Sequence, residues 1–146
     1  MKIYLAGDLM VDSSRIFLET ICSNFEEQGF EVFLPHRDAG LLKEKDIQDV
    51  NSRRETFKPI FDLEIAELKS SDYAVFLLDG QCFGTTFEMG CAYTLKQALG
   101  LHILIIGLYT DIRGVTSLDF MRICGCDFLV TSGEDLLGLI QSISST

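Results

Sequence analysis

Short, uninterrupted apolar runs alternate with longer amphipathic stretches from one end of the chain to the other. Strands that are apolar on both sides are typical of a parallel sheet covered by helices on both faces. The runs that predict such strands are residues 2–6, 30–34, 73–78, 102–108 and 128–131. Helical patterns between and after them predict helices over residues 13–28, 59–71, 85–99, 117–124 and 134–144. This alternation predicts an α/β fold: a doubly wound, five-stranded parallel sheet in the flavodoxin-like strand order, formed by one domain over residues 1–146.

Glycine and proline residues mark where several of these elements begin or end. Gly29 and Gly100 are the expected C-terminal stops of two helices, and Pro35 is expected to close the second strand. Pro59 is expected in the first turn of the helix over 59–71, because its missing N–H would have no partner there. The charged segment 38–56 has poor periodicity, so we expect it to be partly helix and otherwise loop.

The composition limits the class of function. The 146 residues are 47% apolar, which is enough to fill one core and excludes intrinsic disorder. A formal net charge of −10 repels phosphate backbones, so no nucleic-acid polymer is expected as a partner. No apolar run approaches the roughly 20 residues of a membrane span, and no secretory signal pattern follows Met1. We therefore expect a cytoplasmic protein without a membrane partner.

Signatures of common cofactors are missing from the chain. The five cysteines are odd in number and lack CxxC spacing, which argues against a disulfide framework and a zinc site. The first strand ends at a lone Gly7 rather than at a GxGxxG or P-loop motif, so the main sequence signal for binding NAD or ATP is absent. We expect neither a metal nor an organic cofactor.

Candidate site residues cluster where the predicted strands end. Ligands of open parallel sheets bind beyond the carboxyl ends of the strands. The segments that leave those ends are residues 7–10, 35–38, 79–84 and 109–114, and they hold a large share of the glycines and ionisable groups. The sequence therefore predicts a small-molecule site at this edge of the sheet.

The segment 84–90, Gly-Thr-Thr-Phe-Glu-Met-Gly, is the most informative of the motifs. If its helix begins at Thr85, Glu88 lies in the first turn, where the helix dipole stabilises an ionised carboxylate by about 0.3–1 kcal/mol. Small residues such as Gly84 leave room for a ligand beside it. The same spacing also fits a capping box between Thr85 and Glu88, in which the carboxylate only caps the helix.

These residues, taken with others, carry a resemblance to a known family. The matching segments are 2–7 (KIYLAG), 33–38 (FLPHRD), 78–80 (LDG), 84–93 (GTTFEMGCAY, against a family pattern GTxFExGxAY) and 109–113 (YTDIR). The chain resembles the nucleoside 2-deoxyribosyltransferases and the related nucleotide N-glycosidases over nearly its whole length. The Glu88 motif is fairly specific, and the other segments support it by standing in the same order.

The resemblance implies catalytic roles for three residues. Glu88 is implied to attack C1′ of a 2-deoxyribonucleoside and to hold the sugar as an ester, as in retaining glycosidases. Tyr4 matches the family tyrosine whose hydroxyl positions this carboxylate. The family has an Asp as the acid for the leaving base, eight positions before the Asp that precedes the third strand. Counting back from Asp72 gives Glu64 here, not an Asp. Asp62 lies about 200° around the helix from Glu64. It is expected instead near the substrate or in the first helical turn, where it interacts with the helix dipole. The alternative for both residues is that their side chains lie on a solvent-exposed face of the helix.

Further residues are expected to contact the substrate. Cys82 stands where many family members have an Asp, and Asp79 either replaces that Asp or only shapes its own turn. His36 contacts a base or lies exposed in its loop. The family's Asn-x-Met, supplied by a neighbouring subunit, corresponds to Asp119 and Met121, which implies a homodimer or a higher homo-oligomer. The candidate substrate contacts are Gly7, Asp8, His36, Asp62, Asp79, Gly84, Asp119 and Met121.

The resemblance leaves three functions open. The first is transfer of the deoxyribosyl group of a nucleoside to another free nucleobase. The second is hydrolysis of nucleosides or their 5′-monophosphates. The loop at residues 7–10 is acidic and apolar, which favours a free nucleoside, although Arg37 and Arg113 could reach a phosphate. The third, motivated by the substitutions at Glu64, Cys82 and Asp119, is a non-catalytic module that senses nucleosides or nucleotides.

Overall fold

The computed structural model describes residues 1–40, 49–111 and 117–145, and Arg113 lies outside them. Its sheet has five parallel strands in the order β2-β1-β3-β4-β5. The strands are β1 (Lys2–Ala6), β2 (Glu31–Phe33), β3 (Tyr73–Leu77), β4 (Leu104–Leu108) and β5 (Phe128–Val130). This is the flavodoxin-like order, so the predicted fold class is confirmed.

Helices cover both faces of the sheet, as the apolar strands require. They are α1 (Asp12–Glu27), α2 (Pro35–Asp38), α3 (Val50–Lys69), α4 (Phe83–Leu99), α5 (Phe120–Cys124) and α6 (Gly133–Ser144). Leu18 and Phe25 of α1 share one core cluster with Leu136 of α6. Leu68 of α3 and Met89 of α4 belong to the cluster on the other face. The interior strand β1 contributes side chains to both clusters, and its residues 3–6 are buried.

The predicted start of α3 is wrong. The helix begins at Val50, and the side chain of Asp49 caps it by accepting a hydrogen bond from the Ser52 N–H at 2.8 Å. Pro59 lies inside the helix, where it gives up one backbone hydrogen bond, and Asp62 is far from the first turn. An early cap therefore outweighs the helix-starting preference of proline at this place.

The helix that carries Glu88 also begins earlier than predicted. Its first residue is Phe83, and Cys82 caps it, because the Thr85 N–H points at Cys82 Sγ at 3.5 Å. Glu88 therefore lies in the second turn rather than the first. Both the expected dipole stabilisation and the capping box between Thr85 and Glu88 are wrong. The helix ends at Gly100 in the left-handed conformation, as predicted.

The other boundaries agree with the predictions or differ from them by up to three residues. Pro35 follows the second strand as expected but also opens the short helix α2, which the sequence pattern does not predict. Helix α5 begins at Phe120 rather than residue 117, because Asp119 caps it. Of the segment 38–56, residues 50–56 belong to α3, and residues 41–48 lie outside the described part of the chain. Within the described residues, no helix combines the length and apolar character that a membrane crossing needs.

Candidate active site

A cleft of about 450 Å³ opens at the carboxyl end of β1, the edge of the sheet where the sequence predicts a site. Its lining comes from the loop after β1, the start of α2, the middle of α3 and the first turns of α4. The residues that line it are Ala6, Gly7, Asp8, Leu9, Met10, Pro35, Glu64, Cys82, Phe83, Gly84, Thr85 and Glu88. The described lining carries three carboxyl groups and no Lys, Arg or His side chain.

The hydroxyl of Tyr4 holds the carboxylate of Glu88. It donates a hydrogen bond to Glu88 Oε1 across 3.0 Å, joining strand β1 to helix α4. The other carboxylate oxygen, Oε2, accepts no hydrogen bond from the described residues. One oxygen of Glu88 is therefore fixed by the core, and the other is available at the cleft.

Tyr4 itself is held rigidly, because its side chain is fully buried. Its ring stacks on Phe33 with centroids 5.5 Å apart and meets Phe76 at a tilt, at 6.5 Å. Burial, followed by the charges of Glu88 and Glu64, raises the pKa of the Tyr4 hydroxyl. The hydroxyl therefore stays protonated and acts as a donor.

The carboxyl group of Glu64 affects the ionisation of Glu88. Burial and the negative charge of Glu64 raise the pKa of Glu88 to about 7, while the hydrogen bond from Tyr4 opposes the rise. Burial also raises the pKa of Glu64. Interacting carboxyl groups titrate as a pair, so over part of the pH range one holds a proton while the other is ionised. Such a pair provides one acid and one nucleophile or base.

Two glycines shape the cleft for different reasons. A Cβ on Gly7 would approach Leu18 Cδ1 to 2.8 Å and Leu77 Cβ to 3.0 Å, so close packing of α1 against the sheet requires glycine there. A Cβ on Gly84 would meet only Cys82 Sγ, at 3.8 Å. Asp8 lies beside them and uses Oδ1 to accept a hydrogen bond from the Met10 N–H at 3.0 Å, which shapes the loop.

Two predicted substrate contacts do not line this cleft. His36 places Nε2 2.8 Å from Glu19 Oε1, which ties α2 to α1, and only 8% of its side chain is exposed. Asp62 forms an ion pair with Lys58 on the outside of α3. Glu64 and not Asp62 is therefore the carboxyl group of α3 that the fold brings to Glu88.

Asp79 is used to join two loops. It accepts hydrogen bonds from both the N–H and the hydroxyl of Thr110, and the former spans 2.7 Å. The loops after β3 and β4 are thereby held together at the edge of the sheet. Asp79 does not line the cleft, and Cys82, at the place of the family Asp, does.

Asp119 and Met121 lie at the start of α5, away from Glu88 of the same chain. Asp119 accepts a hydrogen bond from the Arg122 N–H at 3.1 Å and pairs with its guanidinium, which lowers the pKa of Asp119. Met121 is 69% exposed and lines a separate apolar groove of about 360 Å³ between α4 and α5. Neither residue contributes to the cleft of its own chain.

The cleft also contains residues that sequence reasoning did not select. Five of them fall in the predicted strand-end segments: Leu9, Met10, Pro35, Cys82 and Phe83. Their position in the sequence therefore indicated the site, but their residue types did not. Thr85 belongs to the motif 84–90 but was not chosen as a substrate contact. The other residues are small or apolar and carry no chemical motif of their own.

The described residues offer no evident metal centre. They contain no group of three or more His, Cys, Asp or Glu side chains placed to hold a metal ion. All five cysteines are free thiols. The chemistry available in the cleft is therefore that of carboxyl groups, hydroxyl groups and a thiol.

Comparison with known proteins places the chain in a family. A model of the nucleoside 2-deoxyribosyltransferase family matches residues 3–133, most of the chain. The chain therefore belongs to the nucleoside 2-deoxyribosyltransferase family. This membership indicates an enzyme of the transferase or glycosidase type, in a family that takes nucleosides and nucleobases as small-molecule substrates. The comparison with curated proteins gives no match.

Solved structures share the fold. A conserved protein from Enterococcus faecalis V583 is similar with a TM-score of 0.72 and 23% identity, over 97% of this chain and 98% of that one. A 2-deoxyribosyltransferase from Bacillus psychrosaccharolyticus is similar with a TM-score of 0.68 and 17% identity, over 93% of this chain and 90% of that one. At these identities the likeness concerns the fold.

Proposed function

We propose that this protein cleaves the N-glycosidic bond of 2-deoxyribonucleosides and transfers the deoxyribosyl group to another nucleobase, with Glu88 as the nucleophile. The observation that carries the proposal is the 3.0 Å hydrogen bond from the buried Tyr4 hydroxyl to Glu88 Oε1. It orients a carboxylate in a cleft and leaves its second oxygen free to react. The family match over residues 3–133 supports the same chemistry.

In the first step, Glu88 Oε2 attacks C1′ of the bound sugar. A bond forms between Oε2 and C1′ while the bond between C1′ and the base nitrogen breaks. The electron pair of the broken bond goes to the base nitrogen, and the proton of Glu64 neutralises the departing base. This step uses the protonation state of the pair in which Glu64 holds the proton and Glu88 is ionised. Burial raises the pKa of Glu64, which favours a proton on that group.

In the second step, a nitrogen of another free base attacks C1′ of the glycosyl ester. The new C1′–N bond replaces the ester bond, Glu88 leaves as a carboxylate, and Glu64 takes the proton of the incoming base. Attack by water in place of the base gives hydrolysis with the same proton transfers. Neither step needs a cofactor, because the leaving and entering groups exchange only a proton with the protein.

The charges around the cleft favour a free nucleoside over a 5′-monophosphate. Asp8, Glu64 and Glu88 line it, and each would repel a phosphate. Two nearby arginines already have partners. Arg15 donates to the Leu9 carbonyl at 2.6 Å and pairs with Asp12. Arg37 pairs with the carboxylates of residues 26 and 38. The substrate we propose is therefore uncharged at C5′.

We also propose that the active form is a homo-oligomer. Asp119 and Met121 do not reach the cleft of their own chain, so the role that the family resemblance gives them requires a second copy. Phe83, Phe120 and Met121 are 86%, 71% and 69% exposed, which leaves a large apolar surface beside α4 and α5. Light scattering after gel filtration tests this, and a fully active monomer would contradict it.

A base-exchange assay tests the reaction. Purified protein is incubated with each of the four natural 2′-deoxynucleosides and a different free base, and the products are separated by chromatography. Glu88→Gln, which keeps the size of the side chain, should lower turnover by about a thousandfold or more. Glu55→Gln, at an exposed carboxylate of α3, is the matched control and should retain it. Equal turnover in Glu88→Gln and wild type would refute the mechanism.

A second comparison isolates the role of Glu64. Glu64→Gln should lower release of an uncharged base by about 10²–10⁴-fold, the usual contribution of a general acid. A nucleoside whose purine is methylated at N7 already carries the positive charge, so its base leaves without protonation. Glu64→Gln should therefore retain most activity on that donor. Equal losses on both donors would show that Glu64 does not protonate the base.

A further inference from the structure

The hydroxyl of Thr85 is buried without a hydrogen-bond partner. Thr85 is 3% exposed, and its Oγ1 contacts no donor or acceptor among the described residues. Its backbone N–H is used by the helix cap, pointing at Cys82 Sγ. A buried hydroxyl that lacks a partner is costly, so native structures rarely keep one without a reason.

Other helical threonines show what Thr85 lacks. The hydroxyls of Thr20, Thr56, Thr86 and Thr94 each donate to the carbonyl four residues earlier, over 2.8–3.0 Å. For Thr85 the corresponding carbonyl belongs to Gln81, which precedes the cap of α4 and is not part of the helix. The hydroxyl of Thr85 therefore cannot make the hydrogen bond that the other helical threonines make to the carbonyl four residues earlier.

Thr85 lies at the cleft, where it is part of the lining together with Glu88. The two residues are three positions apart on α4, so they lie on the same face, about one turn apart along the axis. The side chain of Thr85 therefore lies within the length of a pentose from the proposed nucleophile. Its hydroxyl oxygen is buried in the free protein, so a hydrogen bond to a bound sugar requires rotation of the side chain toward the cleft.

We propose that Thr85 is a specificity-determining residue that forms a hydrogen bond with a hydroxyl of the substrate's pentose. This inference rests on the proposed function, since it takes the sugar to be bound over Glu88. A 2-deoxypentose presents hydroxyls at C3′ and C5′, and the Oγ1 of Thr85 can donate to either or accept from it. The substrate would satisfy a group that the folded chain leaves unpaired, and the site would therefore reject sugars that lack the hydroxyl.

Thr85→Val tests this inference, because valine keeps the shape and removes the hydroxyl. We expect the melting temperature to stay the same or rise, since an unpaired buried polar group is lost, while kcat/KM for the deoxynucleoside falls about tenfold. Thr86→Val is the matched control: its hydroxyl bonds to the Cys82 carbonyl, it does not line the cleft, and kcat/KM should be retained. Thr85→Ser and Thr85→Ala, which differ only in the hydroxyl, repeat the comparison in a smaller side chain.

Analogues of the best donor identify the hydroxyl. The 3′-deoxy and 5′-deoxy forms remove one sugar hydroxyl each, and one of them should react equally well with wild type and Thr85→Val. The inference is overturned if Thr85→Val lowers the melting temperature, if it keeps kcat/KM, or if its loss persists with both analogues. Absence of base release from every deoxynucleoside by wild type would instead remove the proposed function.

Discussion

Replacing Glu88 by glutamine should make the protein more stable at high pH while it abolishes the reaction. Burial and the charge of Glu64 raise the pKa of Glu88 from 4.5 to about 7. Between these values the folded protein binds more protons at this residue than the unfolded chain does, so its contribution to stability falls as the pH rises. The substituted glutamine would carry no charge at any pH and would keep an oxygen that accepts from Tyr4.

The size of the effect follows from the same pKa values. Above pH 7 the folded state bears the full cost of an ionised Glu88, which is about 3 kcal/mol. Below pH 4.5 the carboxyl is protonated in both states, and the difference between Glu88→Gln and wild type should vanish. For a chain of this length, the gain at pH 8 corresponds to roughly 6–12 °C in Tm.

Urea unfolding followed by circular dichroism at pH 4 and pH 8 measures this difference. The control is Glu55→Gln, at an exposed position on α3, which should change the free energy of unfolding little at either pH. A gain in Glu88→Gln that is the same at both pH values would refute the reasoning, because it would come from packing. An equal stability of variant and wild type at pH 8 would show that Glu88 ionises without cost.

Three more substitutions test other parts of the structure. Tyr4→Phe removes the donor that lowers the pKa of Glu88, so the acid limb of the kcat/KM profile should move above pH 7, and an unmoved limb would contradict the contact. Gly7→Ala should cost about 1–3 kcal/mol of unfolding free energy in urea, because its Cβ would approach Leu18 to 2.8 Å; no loss would mean that α1 shifts freely. Asp62→Asn should leave base exchange within about twofold of wild type, since Asp62 only pairs on the surface of α3; a large loss would bring it back to the site.

The sheet could be predicted from the sequence because its signal is local. A run such as 73–78 is apolar on both sides, and in a parallel sheet that pattern has few alternatives. The start of α3 could not be predicted in the same way. Pro59 is a strong helix-starting signal, yet the weaker signal of Asp49 lies well before the predicted helix, and only the folded chain shows that Asp49 is the cap.

The candidate site was predictable where chemistry and position coincide. Glu88 matched a family pattern, Glu64 stands as a second carboxyl group at the place of the family Asp, and the fold brings both to one cleft. Asp79 had the right chemistry and the right strand end, but its oxygens are used by Thr110, a contact between two loops that are distant in sequence. Thr85 belongs to the Glu88 motif, but its unpaired hydroxyl becomes visible only once its neighbours are known.

The placement of Tyr4 links the interior of the sheet to the proposed reaction. Its ring packs between aromatic neighbours on adjacent strands, and its hydroxyl donates to the carboxylate that we propose as the nucleophile. Substitutions of Phe33 or Phe76 are therefore limited by the orientation of the Tyr4 ring as well as by volume. A core that is repacked with the fold intact, but with the Tyr4 ring tilted slightly, would give a stable protein whose Glu88 carboxylate is poorly oriented.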